Sequence, residues 1–229
     1  MILFKYTGLE HIKSCIENGI YASRLDNIND PFEGKGIRYK EQYRVVCLTA
    51  SPFQMLMWAY YGNHRGCCIE YEVDESIGIR QVEYIKEFLD HEDMNTTEII
   101  ESLYKKGNEW NHEKEYRMVY YSPQANKSLW KVDGENVFLR AKVKKITFGL
   151  ASEMDCRYAD ILEFLSQYNN GHGSIIDITK CKLMRNRYQL EPDKQFDIDN
   201  ELRVLRANNN TNKTITGTFD VYGGRYTEK

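Results

Sequence analysis

The chain has 229 residues, of which 41% are hydrophobic and 28% are charged, and its formal net charge is −3. A chain of this length buries a substantial core as one domain, with or without a small appendage. The negative net charge argues against electrostatic binding of nucleic acid, although a local basic patch is still an alternative. No apolar run approaches the roughly 20 residues of a membrane span, and the first apolar residues are too few for a secretory signal. We therefore expect a cytoplasmic protein with no membrane partner.

The spacing of cysteine and histidine does not favour a metal site. None of the six cysteines belongs to a Cys-x-x-Cys pair, and the five histidines do not follow zinc-finger spacing. We expect reduced thiols that mostly fill the core, and no bound metal. A nucleophilic Cys–His pair stays open, although nothing in the sequence marks one thiol as activated.

Capping residues and short apolar runs predict the elements of the N-terminal half. Thr7 and Glu10 stand three residues apart, as in a capping box, and predict a helix that ends near Gly19. Ser51 before Pro52 is typical of an N-cap followed by the first helical residue, and predicts a second helix. Apolar runs between turn residues predict strands over residues 3–6, 20–23, 43–49, 67–73 and 81–85.

The same signals continue in the C-terminal half. Asn95 and Glu98 form a second capping-box candidate, which predicts a helix. Asp133 before Gly134 predicts the turn of a hairpin over residues 131–137. Apolar residues at helical spacing predict an amphipathic helix over residues 153–168. Strands are predicted over residues 115–121, 145–150, 174–178 and 182–190.

This pattern predicts an α+β fold, with a mostly antiparallel mixed sheet and flanking helices. We expect residues 1–190 to form a single α+β domain. The composition changes after that point, and the polar tract from Asn208 to Asn212 has little to bury. Residues 191–229 are therefore expected to form a C-terminal extension, with a helix or loop near residues 200–206 and a partly disordered tail.

The segment of residues 110–117 packs two carboxylates and a guanidinium into a run with strand-like alternation. Successive side chains of a strand point to opposite faces, so Glu113, Glu115 and Arg117 are expected to share one face. Two acids in this arrangement suit a site that handles a developing positive charge. The simpler alternative is a strand ion pair, which contributes only about 0.2–1 kcal/mol.

Three runs of the sequence, in this order, resemble a large bacterial family known as a domain of unknown function. The first is Asn-Asp-Pro-Phe-Glu at residues 29–33. The second, at residues 57–66, has Met-Trp-x-Tyr-Tyr followed by His-x-Gly. The third, at residues 106–117, has a lysine and then Trp-x-x-Glu-x-Glu-x-Arg. The resemblance covers about residues 1 to 190.

A more distant resemblance connects the chain with ADP-ribosyltransferases and their fold. A strand with Lys-Tyr, a helix, a glycine, a strand with Tyr-x-Ser and a later Glu-x-Glu are similar in order to the elements of those enzymes. The resemblance implies that NAD is the substrate and that Glu115 is the catalytic acid. It also implies that Lys5 or Tyr6 contacts the NAD ribose or phosphate, and that Tyr21 and Ser23 line the nicotinamide side. The first position of this pattern departs from the His or Arg that is usual in those enzymes. A member of the family that has lost its activity is therefore an alternative.

The chemistry implied by this resemblance assigns a role to each candidate. Cleavage of the nicotinamide–ribose bond creates an oxocarbenium-like transition state, which a nearby carboxylate stabilises. Glu115 is the expected carboxylate, and Glu113 is expected to polarise the acceptor or to hold Glu115 in place. Tyr21 or Trp58 is expected to stack on the nicotinamide, and Lys5 to pair with the diphosphate. The remaining candidates support the site: Asp30, Glu33, Tyr61, His64 and Arg117.

The leading hypothesis is an NAD-dependent ADP-ribosyltransferase-like enzyme, acting as a toxin or phage-defence effector on an unidentified macromolecular acceptor. The alternative, based on the 13% aromatic content, is a non-catalytic module that binds a protein or a nucleic acid. A third hypothesis is a hydrolase that uses His64 or His112 with nearby acids. Purely structural roles are the alternatives for some of these residues. Trp58 and Tyr61 would then share a core face, and Lys105 and Lys106 would lie on a solvated face.

Overall fold

An α+β architecture is seen in the computed structural model, which describes residues 1–87, 89, 91–172 and 175–211. The predicted fold class is confirmed. Its strands are β1 (Ile2–Thr7), β2 (Ile20–Tyr21), β3 (Ser23–Arg24), β4 (Tyr43–Thr49), β5 (Cys67–Glu72), β6 (Arg80–Gln81), β7 (Glu83–Ile85), β8 (Lys105–Gly107), β9 (Glu115–Tyr121), β10 (Trp130–Asp133), β11 (Asn136–Leu139), β12 (Lys142–Phe148), β13 (Asp177–Leu183) and β14 (Leu190–Pro192). Its α-helices are α1 (Ile12–Asn18), α2 (Met55–Tyr60), α3 (Thr96–Ser102), α4 (Tyr158–Gly171) and α5 (Ile198–Thr211).

Nine strands of the described residues form the main sheet, in the order β14-β13-β12-β5-β1-β4-β9-β6, with β3 also paired to β4. The pair β12–β13 is parallel, and α4 makes the crossover that a parallel pair requires. The neighbouring strands β1, β4, β5 and β9 pair antiparallel. β2 joins the hairpin β10–β11 in a small second sheet, and β7 pairs with β8. The predicted hairpin is confirmed, and Gly134 at its tip has a φ of 58°, which suits glycine.

The main core lies between the sheet and the helices α1 and α4. Ile12 of α1 and Leu162 of α4 belong to one buried cluster with Leu3, Ile69 and Ile146 of the strands. Burying an aliphatic side chain of this size contributes roughly 1.5–3 kcal/mol. This layer fixes the position of β1, the strand that carries the predicted ligand contacts.

The main sheet is interrupted between β1 and β4. β1 pairs with β5 over six residue pairs, and β4 pairs with β9 over seven. Between β1 and β4, all of whose residues are described, the single register pair is Phe4 with Thr49. The two strands therefore diverge on leaving this point, and a cavity opens between them.

The two predicted capping boxes have opposite outcomes. The box at Asn95 is confirmed, because its side chain accepts from backbone N–H groups of α3 and the carboxylate of Glu98 accepts from the N–H of Asn95. The box at Thr7 is wrong. Thr7 pairs with Cys67 in the ladder of β1 and β5, so the chain stays extended through Gly8 and then enters a 3-10 turn.

The helix predicted to begin at Ser51 begins later. Its first residue is Met55, because the Tyr6 hydroxyl donates to the carbonyl oxygen of Ser51 and accepts from the N–H of Gln54, which holds the preceding residues out of the helix. The helix predicted from residue 153 likewise begins at Tyr158, after a short 3-10 turn. None of the described helices combines the length and the apolar character that crossing a bilayer requires.

The described residues after position 190 pack on the preceding ones. β14 pairs with β13, and Leu202 of α5 is buried in the main core cluster beside α4. Strands were predicted over residues 174–178 and 182–190, of which residue 174 lies outside the described residues. The structure has one continuous strand here, β13, and the short β14. Of the helix or loop expected near residues 200–206, the structure has the helix, α5, which reaches Thr211. The domain division at residue 190 stays a prediction, and the predicted tail over residues 212–229 lies outside the described residues.

Candidate functional site

A cavity of about 610 Å³ lies where β1 and β4 diverge. Its walls come from these two strands, from α1, from α2 and from the small sheet of β2 and β11. A volume of this size falls in the usual range for small-molecule and cofactor sites. Seven of the residues that the sequence singled out line it: Lys5, Tyr6, Tyr21, Ser23, Tyr61, Glu113 and Glu115.

One part of the lining, which we call the floor, consists of Cys47, Thr49, Lys106, Glu113 and Glu115. Glu115 forms a bidentate ion pair with Arg117, which is absent from the described lining. Arg117 Nε donates to Glu115 Oε1 at 2.7 Å, and Nη2 donates to Oε2 at 2.9 Å. Arg117 is 0% exposed, and it also donates to the carbonyl oxygen of Leu103 at 2.8 Å and to Glu33 Oε1 at 2.6 Å. β9 positions the pair, since its two members are two residues apart on one strand face.

Lys106 of β8 joins the carboxylates into one cluster. Its Nζ lies 2.6 Å from Glu113 Oε2, 3.1 Å from Glu115 Oε2 and 3.8 Å from Glu33 Oε1. The same ammonium lies 4.7 Å from the centre of the Trp110 ring, in a cation–π contact. Lys106 is 4% exposed, so the solvated face predicted for it is wrong. Its charge is tolerated because three carboxylates replace the lost water.

Glu113 reaches the cluster by a route that the strand pattern did not predict. It ends a 3-10 helix (Asn108–Glu113), and β9 begins only at Glu115. The intervening Lys114 has a φ of 46°, a left-handed conformation that costs a residue with a side chain roughly 1–2 kcal/mol. The prediction that strand alternation places Glu113 beside Glu115 is therefore wrong, because a backbone kink at Lys114 does so.

Two hydroxyl groups fix Glu113. The Tyr61 hydroxyl donates to Glu113 Oε1 at 2.6 Å, and Thr49 Oγ1 donates to the backbone carbonyl of Glu113 at 2.6 Å. Burial, and then the nearby carboxylate of Glu113, raise the pKa of Tyr61 well above its usual value. Tyr61 therefore stays protonated and keeps donating to Glu113.

The buried cluster holds more negative than positive charge. Three carboxylates (Glu33, Glu113, Glu115) face two cations (Lys106, Arg117), which leaves a formal charge of −1 when all are ionised. Burial alone disfavours ionised Glu115, but Arg117 and Lys106 outweigh it and lower its pKa to about 2. Burial raises the pKa of Glu33 despite Arg117, and Glu33 Oε2 has no hydrogen-bond partner among the described residues.

An ammonium group and aromatic rings also line the cavity. Lys5 Nζ lies 3.5 Å from the carbonyl oxygen of Cys47, and no ion pair with a carboxylate is seen for it within the described part of the chain. Tyr21 and Phe138 meet edge to face, with ring centres 5.7 Å apart. The lining of the cavity therefore combines carboxylates, an ammonium group and aromatic rings.

Two predicted site residues lie elsewhere. Trp58 is 1% exposed, donates its indole N–H to the carbonyl of Pro52 at 3.0 Å and packs on the edge of Tyr6. It fills the core and does not stack in the cavity, so its ligand role is corrected. His64 has a φ of 58°, and its backbone N–H donates to the carbonyl of Trp58. His64 and His112 are both absent from the described lining of the cavity.

The loop of residues 29–33 reaches the cavity through Asn29, and not through the predicted site residues Asp30 and Glu33. Asn27 and Asn29 line the cavity, whereas Asp30 Oδ1 accepts from the N–H of Phe32 at 2.9 Å and fixes the turn. Asp30 and Glu33 line a second, smaller cavity of about 180 Å³ instead.

Sequence reasoning missed two polar groups of the floor besides the burial of Lys106. Thr49 and Cys47 come from β4, whose sequence predicts an apolar core strand, and the nearby Cys47 thiol helps to lower the pKa of Glu115. The sequence carried one signal for Lys106, namely its place in the third of the resembling runs.

Comparison with known proteins identifies no relative of this chain. No protein-family model, curated protein or solved structure matches the chain. Membership of the domain-of-unknown-function family therefore stays a prediction. Among the described residues, no group of three acidic, histidine or cysteine side chains is arranged to hold a metal ion.

Proposed function

We propose that the cavity binds NAD and that the protein cleaves its nicotinamide–ribose bond, as an ADP-ribosyltransferase-like enzyme. The observation that carries the proposal is the presence of two buried carboxylates in the lining of one cavity. Glu113 and Glu115 line the cavity from the buried cluster, and both are at most 3% exposed. The nicotinamide ring of NAD and the oxocarbenium-like transition state are both positively charged. Carboxylates fixed in a dry site stabilise such charges more strongly than carboxylates in water.

Other residues of the cavity lining complement the rest of the dinucleotide. The Lys5 ammonium suits a diphosphate, because it is a cation without a carboxylate partner among the described residues. Tyr21 and Phe138 offer aromatic faces to a planar ring. A cavity lined by both carboxylates and an ammonium group fits a ligand that carries both charges.

The place of the cavity also agrees with the resemblance to ADP-ribosyltransferases. In those enzymes the first two strands grip NAD, and here Lys5 and Tyr6 of β1 line the same cavity as Tyr21 and Ser23. This agreement supports an ADP-ribosyltransferase-like arrangement, and the acceptor and the biological role as a toxin or phage-defence effector stay predictions.

The proposed reaction needs no proton donor for the leaving group. The electrons of the broken C–N bond stay with nicotinamide, which leaves as a neutral molecule, and the ribosyl cation is captured by water or by an acceptor nucleophile that loses a proton. The low pKa of Glu115 keeps it ionised throughout the neutral range. Its contribution is therefore a fixed negative charge.

The test is to incubate the purified protein with NAD and to quantify released nicotinamide by chromatography. Glu115→Gln and Glu113→Gln each remove one charge from the floor while keeping the side-chain size. Glu135→Gln removes a charge from an 85% exposed side chain and is the matched control. We expect release by the wild type and by the control, and a loss of at least about 100-fold in the two floor variants, as for the removal of an electrostatic stabiliser.

Adding cell lysate and labelled NAD distinguishes transfer to a macromolecule from simple hydrolysis. Equal background release by all four proteins, with no effect of NAD on the melting temperature, would contradict the proposal. That result would favour the non-catalytic binding module.

A further inference from the structure

The second cavity, of about 180 Å³, is lined by two acidic side chains of one turn, Asp30 and Glu33. Neither belongs to the described lining of the first cavity. We propose that the second cavity is a separate binding site for an aliphatic primary ammonium group, which the two carboxylates hold by charge-assisted hydrogen bonds. This inference does not rest on the proposed function, because it concerns another cavity and another ligand.

Glu33 has a carboxylate oxygen without a partner. Its side chain is 6% exposed, and Oε1 accepts from Arg117 Nη2 at 2.6 Å and lies 3.8 Å from Lys106 Nζ. Oε2 is buried and has no hydrogen-bond partner among the described residues. A buried acceptor is unfavourable unless a donor reaches it, so a donor supplied by a ligand would stabilise this oxygen. Burial raises the pKa of Glu33 although Arg117 opposes the change, which agrees with a shortage of cationic charge here.

Asp30 is the second acceptor of this cavity. The residue is 4% exposed, and Oδ1 accepts from the backbone N–H of Phe32 at 2.9 Å. Within the described ranges of the chain, no lysine or arginine forms an ion pair with Asp30, and no donor to Oδ2 is seen. One oxygen of each acid is therefore left for a ligand.

The lysines of the lining do not supply the missing donor. Lys106 Nζ is bound by Glu113 Oε2, at 2.6 Å. Lys105 Nζ lies 4.0 Å from Glu83 Oε2. Lys86 is exposed and forms no ion pair in the part of the chain that the structure describes. The two acids are therefore open to a cation from outside the protein.

The number of free oxygens selects the type of cation. A guanidinium binds a carboxylate best through both oxygens, whereas each acid here offers one. Calcium takes roughly six to eight oxygen ligands. No described group of three acidic, histidine or cysteine side chains is arranged to hold a metal ion. An ammonium is a compact charge with three donors, so it can satisfy two separate oxygens.

The other walls of the cavity fit an alkyl chain. Ile85, Leu89 and Leu103 belong to the described lining, and Leu103 is 2% exposed. An apolar cavity of about 150 Å³ holds a molecule of the size of benzene. A chain of about four or five carbons on the ammonium therefore fits this cavity.

The experiment titrates the full chain with n-butylammonium chloride at constant ionic strength and follows isoleucine and leucine methyl signals by NMR. We expect the signals of Ile85 and Leu103 to shift with a Kd of about 1 mM, a usual strength for a ligand of five non-hydrogen atoms. Leu48 lines the first cavity, so its methyl signals should not move. 1-Butanol has the same chain without the charge and should bind at least about tenfold more weakly.

Variants test the two acids separately. Glu33→Gln and Asp30→Asn each remove one charge, and each should weaken n-butylammonium binding by at least about tenfold. Glu87→Gln is the matched control, because Glu87 is an exposed carboxylate of the same lining and its loss should change the Kd by less than about threefold. Melting temperatures verify folding. Glu33→Gln retains the acceptor for Arg117, so it remains the test if Asp30→Asn does not fold.

A fourth ligand distinguishes the two sources of an ammonium group. Nα-acetyl-lysine methylamide carries the ammonium of a lysine side chain on a peptide-like body. Shifts of Ile85 and Leu103 with this compound would identify the natural ligand as a lysine side chain of a peptide. Shifts with n-butylammonium alone would identify a free amine, and either result supports the site.

The outcomes also separate this proposal from the proposed function. Shifts at Leu48 without shifts at Ile85 and Leu103 would overturn the ammonium site, and so would equal binding of 1-butanol. An unchanged Kd in Glu33→Gln and Asp30→Asn would overturn the role of the acids. Each of these results leaves nicotinamide release untouched, and an absence of nicotinamide release leaves the ammonium site intact.

Discussion

Arg117 Nη2 lies 2.6 Å from Glu33 Oε1, and this contact joins the loop of residues 29–33 to the middle of β9. Tyr61 makes a comparable contact with Glu113, 52 residues away along the chain. The three runs that resemble a domain-of-unknown-function family thus each contribute a side chain to one buried cluster. Their joint occurrence in the sequence has a physical reason, since each run supplies a partner for a charge that another run buries.

Replacing Arg117 should strongly destabilise the fold. Arg117→Met leaves Glu33 and Glu115 buried without their main counter-charge, and we expect a loss of about 3–5 kcal/mol in the free energy of unfolding. Urea unfolding measures this loss. Arg24→Met is the matched control, because Arg24 pairs with Glu135 on the surface and its loss should cost less than about 1 kcal/mol. Equal losses in both variants would contradict a buried network.

The stability contributed by Glu115 should disappear in acid. Its folded pKa of about 2 lies below the ordinary 4.5, so the stabilisation is complete above pH 4.5 and is lost as the pH falls towards 2. The gap in unfolding free energy between the wild type and Glu115→Gln should therefore narrow over that interval. Glu33→Gln is the internal comparison. Because burial raises the Glu33 pKa, this variant should gain stability relative to the wild type as the pH rises.

The backbone at Lys114 offers a test of stored strain. Lys114→Gly removes the side chain that makes a φ of 46° unfavourable, and we expect stability to be unchanged or to rise by up to about 1 kcal/mol. Lys114→Val should lose more than about 1 kcal/mol, since a β-branched residue tolerates this conformation poorly. Thermal unfolding measures both. Lys142→Val, at an exposed strand position of β12, should be neutral or stabilising.

The close approach of Gly149 to the loop before β5 should not tolerate a methyl group. A Cβ at Gly149 would lie 2.3 Å from the backbone oxygen of His64, so Gly149→Ala should cost about 2 kcal/mol or more. A Cβ at Gly171, at the end of α4, would meet nothing within 4 Å. Gly171→Ala should be neutral or slightly stabilising. A chemical-denaturation midpoint unchanged by Gly149→Ala would refute the contact.

Much of the fold follows from local signals in the sequence. Strand runs such as that of β4 and the capping box at Asn95 were predicted correctly, because each depends on neighbours within a few residues. The helix starts at Thr7 and Ser51 were wrong, because a ladder with β5 and the Tyr6 hydroxyl override the local preference. Such long-range contacts are not visible in a local pattern.

The candidate site was predicted in composition better than in geometry. Glu113, Glu115 and Arg117 were chosen for their charges, and the structure brings them together. The kink at Lys114 and the burial of Lys106 were not predictable, since lysine in either place is ordinary on a surface. Only the tertiary arrangement of three acids explains why this ammonium lies inside.

The seam between β1 and β4 has a consequence for hydrogen exchange. Where two strands share one register pair, few amide protons are protected by the ladder across that seam, and local opening there is easier than elsewhere in the sheet. A ligand held by Lys5 on one side and by the carboxylate floor on the other would bridge the seam. Its binding would therefore slow amide exchange selectively in β1 and β4. The exchange rates of these two strands would then show whether the cavity holds a ligand.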